Sequence, residues 1–242
     1  MIASLAPLFS GPLAAYGENL QIATEQDQAL AASRLFQAEH FAEFIRTLAA
    51  RHGTDDLLAL TSIWSKWYFT SFLAPTLAAS LLLQRDLPIA LGDIGVALSA
   101  EGKPLGLRLQ HDGNNLPPCS PFERFSTLME RHLEPVIEIM AGASGASPRL
   151  FWSNAGNTFE FVTTQLELHP LAAPGCTAPA RAILESRLRP NGRRNPLFAP
   201  VHYKDVGTSE AQRLRRICCI RYRLPGIGYC SSCPLDHDKT PE

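Results

Sequence analysis

Four cysteines fall within sixteen residues near the end of the chain: Cys218, Cys219, Cys230 and Cys233, in the run RRICCIRYRLPGIGYCSSCPL over 215–235. Their spacing is C-C-x10-C-x2-C. Four thiolates in two pairs can hold one tetrahedral Zn²⁺ or a [2Fe–2S] centre, and C-x2-C is common to both. The adjacent pair is the unusual part. Neighbouring residues point to opposite sides of an extended chain, and in a helix they lie about 100° apart. Such thiols reach two metal ions more readily than one. A two-iron centre offers two acceptor ions and zinc offers one, which places iron–sulfur ahead of zinc and leaves zinc open. Pro225, Gly226 and Gly228 in the ten-residue loop permit a tight path between the pairs.

The redox compartment decides how thiols are used. No Lys or Arg precedes Arg34, so the N-terminal run lacks the positive start of a secretory signal, and we expect a cytoplasmic protein with reduced cysteines. Cys119 and Cys176 lie in Pro-rich stretches far from the cluster and receive no role. The seven histidines form no H-x3-H or H-E-x-x-H pattern. The longest uncharged apolar run, Trp67 to Leu83, is short for a membrane span and contains Pro75, so buried helices and at most peripheral membrane association are expected. A net charge of −1 over 242 residues excludes a strong nucleic-acid signature. The charge is unevenly placed: residues 181–223 carry eleven Lys/Arg and three Asp/Glu. This basic excess precedes and enters the cysteine segment.

The elements that must position these residues are mostly helical. A helix is predicted from a Thr24 cap to Gly53, and a second from Thr54 through SIWSKWYF, broken or kinked before Pro75, with a third running to about Arg85. The run 88–110 reads as strands around a Glu-Gly-Lys turn at 101–103. A helix around FERFSTLMERHLEPVIEIMA is limited by Pro135. Ser147 and Pro148 make an N-cap and first-turn pair for the helix that carries Trp152 and Asn154. A helix over APARAILESRLR, an extended NPLFAPVHY and a short helix TSEAQRLRRI, delivering Cys218 and Cys219, complete the reading. The fold class is α+β: a predominantly helical body over residues 1–200, with a small antiparallel β element, and a C-terminal subdomain over 201–242.

Other residues carry charge or aromatic surface. Trp64, Lys66, Trp67 and Tyr68 crowd one helix; aromatics at such spacing usually belong to a core, whereas Lys66 among them needs a carboxylate or a cleft. Trp152 and Asn154 follow a helix start that favours anions, and a packed Trp with a capping or surface Asn is the plainer reading. Arg215 and Arg216 are either a solvated helix end or an electrostatic device. A four-thiolate [2Fe–2S] centre gains negative charge on reduction, so nearby guanidinium groups raise its potential; they also suit an acidic electron donor. No G-x-G-x-x-G follows a predicted strand, so electrons are expected from an external donor.

The cysteine segment resembles the C-terminal motif of the FhuF family of ferric-siderophore reductases, in its C-C-x10-C-x2-C spacing, its preceding Arg pair and its Y-R-L-P-like loop. Weaker likeness runs through SIWSKWYFTSFLAPTLAAS, RLFWSNAGN and NPLFAPVHY, in the family's order. The resemblance implies that Cys218, Cys219, Cys230 and Cys233 ligate a [2Fe–2S] cluster. It also implies that the protein removes iron from hydroxamate-type ferric siderophores by one-electron reduction to Fe(II). The upstream region resembles a domain also found in siderophore synthetases, which implies a body that cradles the siderophore; Lys66, Trp67, Trp152, Arg215 and Arg216 are candidates for docking substrate or donor. A zinc-stabilised module that binds a ligand or partner without catalysis is the alternative.

Overall fold

The computed structural model describes residues 1–205, 207 and 211–235. In chain order the strands are β1 (Leu20–Ile22), β2 (Leu30–Ala31), β3 (Arg85–Asp86), β4 (Ile94–Leu98), β5 (Pro104–Leu109), β6 (Asn114–Asn115), β7 (Val201–Lys204) and β8 (Gln212–Arg215). The α-helices are α1 (Ala32–Leu35), α2 (Ala38–His52), α3 (Leu57–Leu82), α4 (Pro121–Arg124), α5 (Ser126–Leu128), α6 (Glu134–Ser144), α7 (Pro148–Leu166) and α8 (Ala178–Glu185). The fold is α+β and predominantly helical. Its main sheet has the order β1-β5-β4-β2, antiparallel apart from the parallel β1–β5 pair. Helix α3 forms the centre, with α2, α6, α7 and the β5 strand packed around it. It is apolar on nearly every face, as a helix enclosed on all sides must be.

Pro75 neither breaks nor kinks the chain into two helices, contrary to the sequence expectation; α3 is one helix of 26 residues. A helical proline frees the carbonyl four residues earlier, here that of Ser71. Asn19 Nδ2 donates to Ser71 O at 2.8 Å and so replaces the missing donor. Asn19 is held there by β5: Leu107 N donates to Asn19 O at 2.8 Å, and Gly106 (φ +152°) lets the two backbones meet. A Cβ on Gly106 would collide with the carbonyl oxygen of Asn19.

Other local expectations fare unevenly. The β4–β5 hairpin forms where predicted, with Gly102 (φ +78°) in its turn. Helix α2 stops at Gly53 in the left-handed region, and α7 starts at Ser147–Pro148, with Ser147 Oγ accepting from Arg149 N at 3.4 Å. Thr24 does not begin a helix. Its N–H and Oγ1 donate to Asp27 Oδ2 at 2.7 and 3.1 Å, a local turn that competes with helix, and α2 begins only at Ala38. The helix before Pro135 opens into a wide π-type turn over Met129–Leu133. The segment before the cysteines is a strand rather than a helix: β8 pairs antiparallel with β7, Val201 opposite Arg215. Residues 208–210 of that predicted helix lie outside the described residues, as does His237. No helix among the described residues is long and apolar enough to cross a membrane.

Candidate metal centre

The β7–β8 hairpin is pinned to α7 by one carboxylate. Glu160 accepts from Tyr203 Oη at 2.5 Å and from Arg213 Nε at 2.7 Å, while Arg213 also donates to Asn157. Strand β8 then ends at Arg215, whose backbone N–H donates to Ser232 O at 2.9 Å. That bond brings the second cysteine pair beside the first. Cys233 N donates to Cys230 O at 2.9 Å, closing the C-x2-C turn. The loop between the pairs is closed by Arg221 Nε donating to Gly228 O at 2.7 Å. It is anchored to α3 by Arg223 Nε on Asp56 Oδ2 at 2.7 Å, and Leu224 inserts into the main core.

Ile220 adopts φ +52°, which costs a β-branched residue free energy. This turn directly follows the adjacent pair and orients it. Ile220 N donates to Cys218 Sγ at 3.2 Å, and the carbonyl of Cys219 accepts from Ser62 Oγ at 2.8 Å. The four sulfurs then meet as two pairs across the loop: Cys218 Sγ to Cys233 Sγ at 3.8 Å, and Cys219 Sγ to Cys230 Sγ at 3.9 Å. Two sulfurs about 2.3 Å from one tetrahedral ion lie about 3.8 Å apart, so each pair has the separation of two ligands on one ion. Among the described residues no three Cys, His, Asp or Glu side chains gather as ligands of a single ion. Two pairs, each set for its own metal, fit a two-iron centre better than one zinc. Cys219, Cys230 and Cys233 are buried and Cys218 is half-buried.

The electrostatics separate the pairs. The hydrogen bond between the two sulfurs, with Arg215 and Lys66 acting in the same sense, brings the Cys219 thiol down to about 4, while Cys230 is pushed up by that same bond and by burial. Burial raises Cys218 to about 11, opposed by the Ile220 N–H and assisted by Cys233. Lys66 Nζ lies 3.6 Å from Cys219 Sγ. Arg215 is wholly buried, and burial lowers its pKa while the cysteines act to raise it.

Of the docking candidates, Lys66 and Arg215 are brought to the sulfurs. Arg216 turns away, its Nε donating to Ala199 O at 2.7 Å. Trp67 is half-buried, with Lys103 Nζ 5.6 Å above its ring. Arg215 and Trp152 are both buried: the guanidinium faces inward from β8, and Trp152 belongs to the apolar core. Cys119 and Cys176 stand apart as free thiols. Asn154, read as a capping or surface residue, is buried and organises the site. Its Oδ1 accepts from Arg215 Nη2, and its Nδ2 donates to Ser65 Oγ at 2.9 Å and to Ser62 O at 3.1 Å. The available signal was an amide inside an apolar helix with no cap to make. Ser62 and Asp56 also escaped notice, because their partners lie more than 150 residues away.

Comparison with known proteins agrees with this geometry. Residues 62–211, more than half of the chain, match the family described as ferric iron reductase FhuF-like transporter. Residues 215–235 match the FhuF 2Fe-2S C-terminal domain, so the cysteine segment is that iron–sulfur domain. The chain is also 27% identical over 177 residues to the ferric siderophore reductase of Escherichia coli (strain K12), a match covering 73% of this chain and 65% of that protein's length. With both family regions in sequence order and the sulfurs paired inside the second, the chain belongs to the FhuF-like ferric iron reductase family.

Proposed function

We propose that the protein is a cytoplasmic ferric-siderophore reductase. Its substrate is Fe(III) held by a hydroxamate-type siderophore, which takes up one electron and leaves as Fe(II). Cys218, Cys219, Cys230 and Cys233 are the ligands of the [2Fe–2S] centre, carried on a 201–242 subdomain against a 1–200 body. The reading is supported above all by the two sulfur pairs at 3.8 and 3.9 Å within the segment that matches the family's 2Fe–2S domain. When bound, the centre supplies one electron at a time. The chain's residues do the rest. Ile220 N–H and Lys66 Nζ direct donors at two of the sulfurs. Ser62 fixes the Cys219 backbone, and the burial of three cysteines keeps water from most of the donor set. Hydroxamate oxygens are hard donors that hold Fe(III) far better than Fe(II), so reduction is release. The electron comes from an external donor protein or reductant.

Anaerobically purified protein is red-brown with two iron and two sulfide per chain on this reading. Reduced with dithionite and freed of excess reductant, it bleaches the visible band of a ferric trihydroxamate, delivering one electron per chain. Cys230→Ser removes both the colour and the bleaching; Cys119→Ser and Cys176→Ser leave them unchanged. Colourless protein with one zinc per chain sinks the proposal in favour of a zinc-stabilised module. Prompt bleaching by NADPH with no other protein or flavin present would refute the external donor.

A further inference from the structure

Arg215 presents an uncompensated charge in the interior. It is 0% exposed, and no carboxylate among the described residues pairs with it. Nη2 donates to Asn154 Oδ1 and to Ser153 Oγ, both neutral, the latter at 3.2 Å. Nε and Nη1 have no hydrogen-bond partner among the described residues. A buried cation with donors unpaired is strongly unfavourable unless an anion stands near, and the buried carboxylate of Glu160 is taken by Tyr203 and Arg213. Arg215 stands at the cysteine segment: it lies three residues before Cys218, and its backbone N–H donates to Ser232 O, inside the C-x2-C turn, at 2.9 Å. A second cation, Lys66 on α3, reaches Cys219 Sγ at 3.6 Å from another side. Basic residues are plentiful in this stretch of sequence, yet Arg216 faces Ala199 O, Arg223 pairs with Asp56 and Arg213 with Glu160.

We propose that Arg215 and Lys66 are the built-in counter-charge of the centre, positioning residues that set its potential and secure its retention from the Cys219/Cys230 side. The inference rests on the four cysteines holding a [2Fe–2S] centre. Four thiolates and two sulfides leave that centre net negative, and reduction adds one more negative charge. Fixed cations therefore favour the reduced form more than the oxidised one. Arginine suits the buried place because it cannot shed its proton, whereas lysine suits the half-buried one.

The test compares full-length, anaerobically purified wild type with Arg215→Met, Arg215→Lys, Lys66→Met and Asn154→Leu. Iron and sulfide are counted, and the midpoint potential is titrated with dithionite and mediators by visible absorption. Arg215→Met and Lys66→Met each shift the one-electron equilibrium toward the oxidised form by tenfold or more, about 59 mV per factor of ten. Arg215→Lys recovers most of the shift. Asn154→Leu removes a neutral acceptor but keeps the charge, and it shifts the equilibrium less than either Met variant. Shifts below twofold in both Met variants overturn the proposal, as does an Asn154→Leu shift equal to that of Arg215→Met, which marks a structural role. If Arg215→Met yields no iron-bearing protein, Lys66→Met decides alone. A wild type without iron and sulfide removes the cysteine reading itself, and its iron count distinguishes that failure from an unchanged potential in loaded variants.

Discussion

The body and the cysteine segment are held together by different forces. Around α3 the body closes by apolar burial: Trp64, Tyr68, Phe69 and Phe72 are all fully buried, with Tyr68 tilted against Phe36, Trp64 edge-on to Phe41 and Phe72 stacked on His132. From Cys218 to Cys233 the buried groups are three cysteines and Leu224. That segment is fixed by single polar ties, from Arg221 to Gly228, Arg223 to Asp56 and Ser62 to Cys219, together with two cations. Apolar area tolerates the loss of one bond; a chain of single ties does not. The body therefore sets where the sulfurs sit, and the segment depends on it far more than the reverse.

Truncation in the body gives the largest effect that this contrast predicts. Phe72→Ala empties a fully buried site stacked 4.4 Å from His132 and costs about 3–5 kcal/mol, read as a lower denaturant midpoint in circular dichroism. A smaller loss, under about 1 kcal/mol, would mean that the core around α3 collapses to fill the gap.

The next effect is acid-dependent. His132 donates from Nδ1 to Ile89 O at 2.6 Å and accepts from Tyr68 Oη at 2.8 Å. Burial lowers its pKa from 6.5 to about 4, opposed by the Ile89 bond. Between those values the unfolded chain binds a proton that the folded chain refuses. Stability is complete above pH 6.5 and falls by about 3 kcal/mol as pH drops to about 4. His132→Gln flattens the pH dependence of the midpoint over that interval; an equal slope in the variant removes His132 as its source.

Asn19→Ala is smaller. It leaves Ser71 O without a donor opposite Pro75 and costs about 1–3 kcal/mol. Asn19→Ala combined with Pro75→Ala restores most of that loss, since the second substitution returns a peptide N–H to the helix and that group takes over as donor. Failure to restore it would place the role of Asn19 in the β1–β5 crossing instead.

The smallest effect lies in the segment. Ile220→Gly relieves a left-handed backbone conformation while giving up partial apolar contact, so stability changes by less than about 1 kcal/mol and the visible spectrum persists. A loss like that of Phe72→Ala would show that the Ile220 side chain, and not its backbone, secures the loop.

What was legible in the sequence was local chemistry. Ser147–Pro148, Gly53 and the hairpin turn at Gly102 act within a few residues, and all three stand where the residues put them. The cysteine spacing was equally readable, because two pairs of thiols need little else to be recognised. What failed to show depended on partners far along the chain. Pro75 stays within α3 through Asn19, 52 residues from the carbonyl it satisfies. The residues before Cys218 have the composition of a helix, yet they form β8 because β7 is there to pair with. Arg215 and Arg216 are indistinguishable as neighbours in a basic run. Arg215, the last residue of β8, is buried, and Arg216, just past the strand, is exposed.

Asp56 joins these two regions through a single carboxylate. Its Oδ1 accepts from Ala59 N at 3.0 Å and caps α3, and its Oδ2 holds Arg223 of the cysteine loop at 2.7 Å. The same group thus serves as a latch with one jaw on each part. Peeling the loop away strips the cap side chain of its ordered position, and fraying the first turn of α3 loosens the loop. The two motions become one event, and slow amide exchange at the start of the longest helix reports on whether the sulfur-bearing loop is seated.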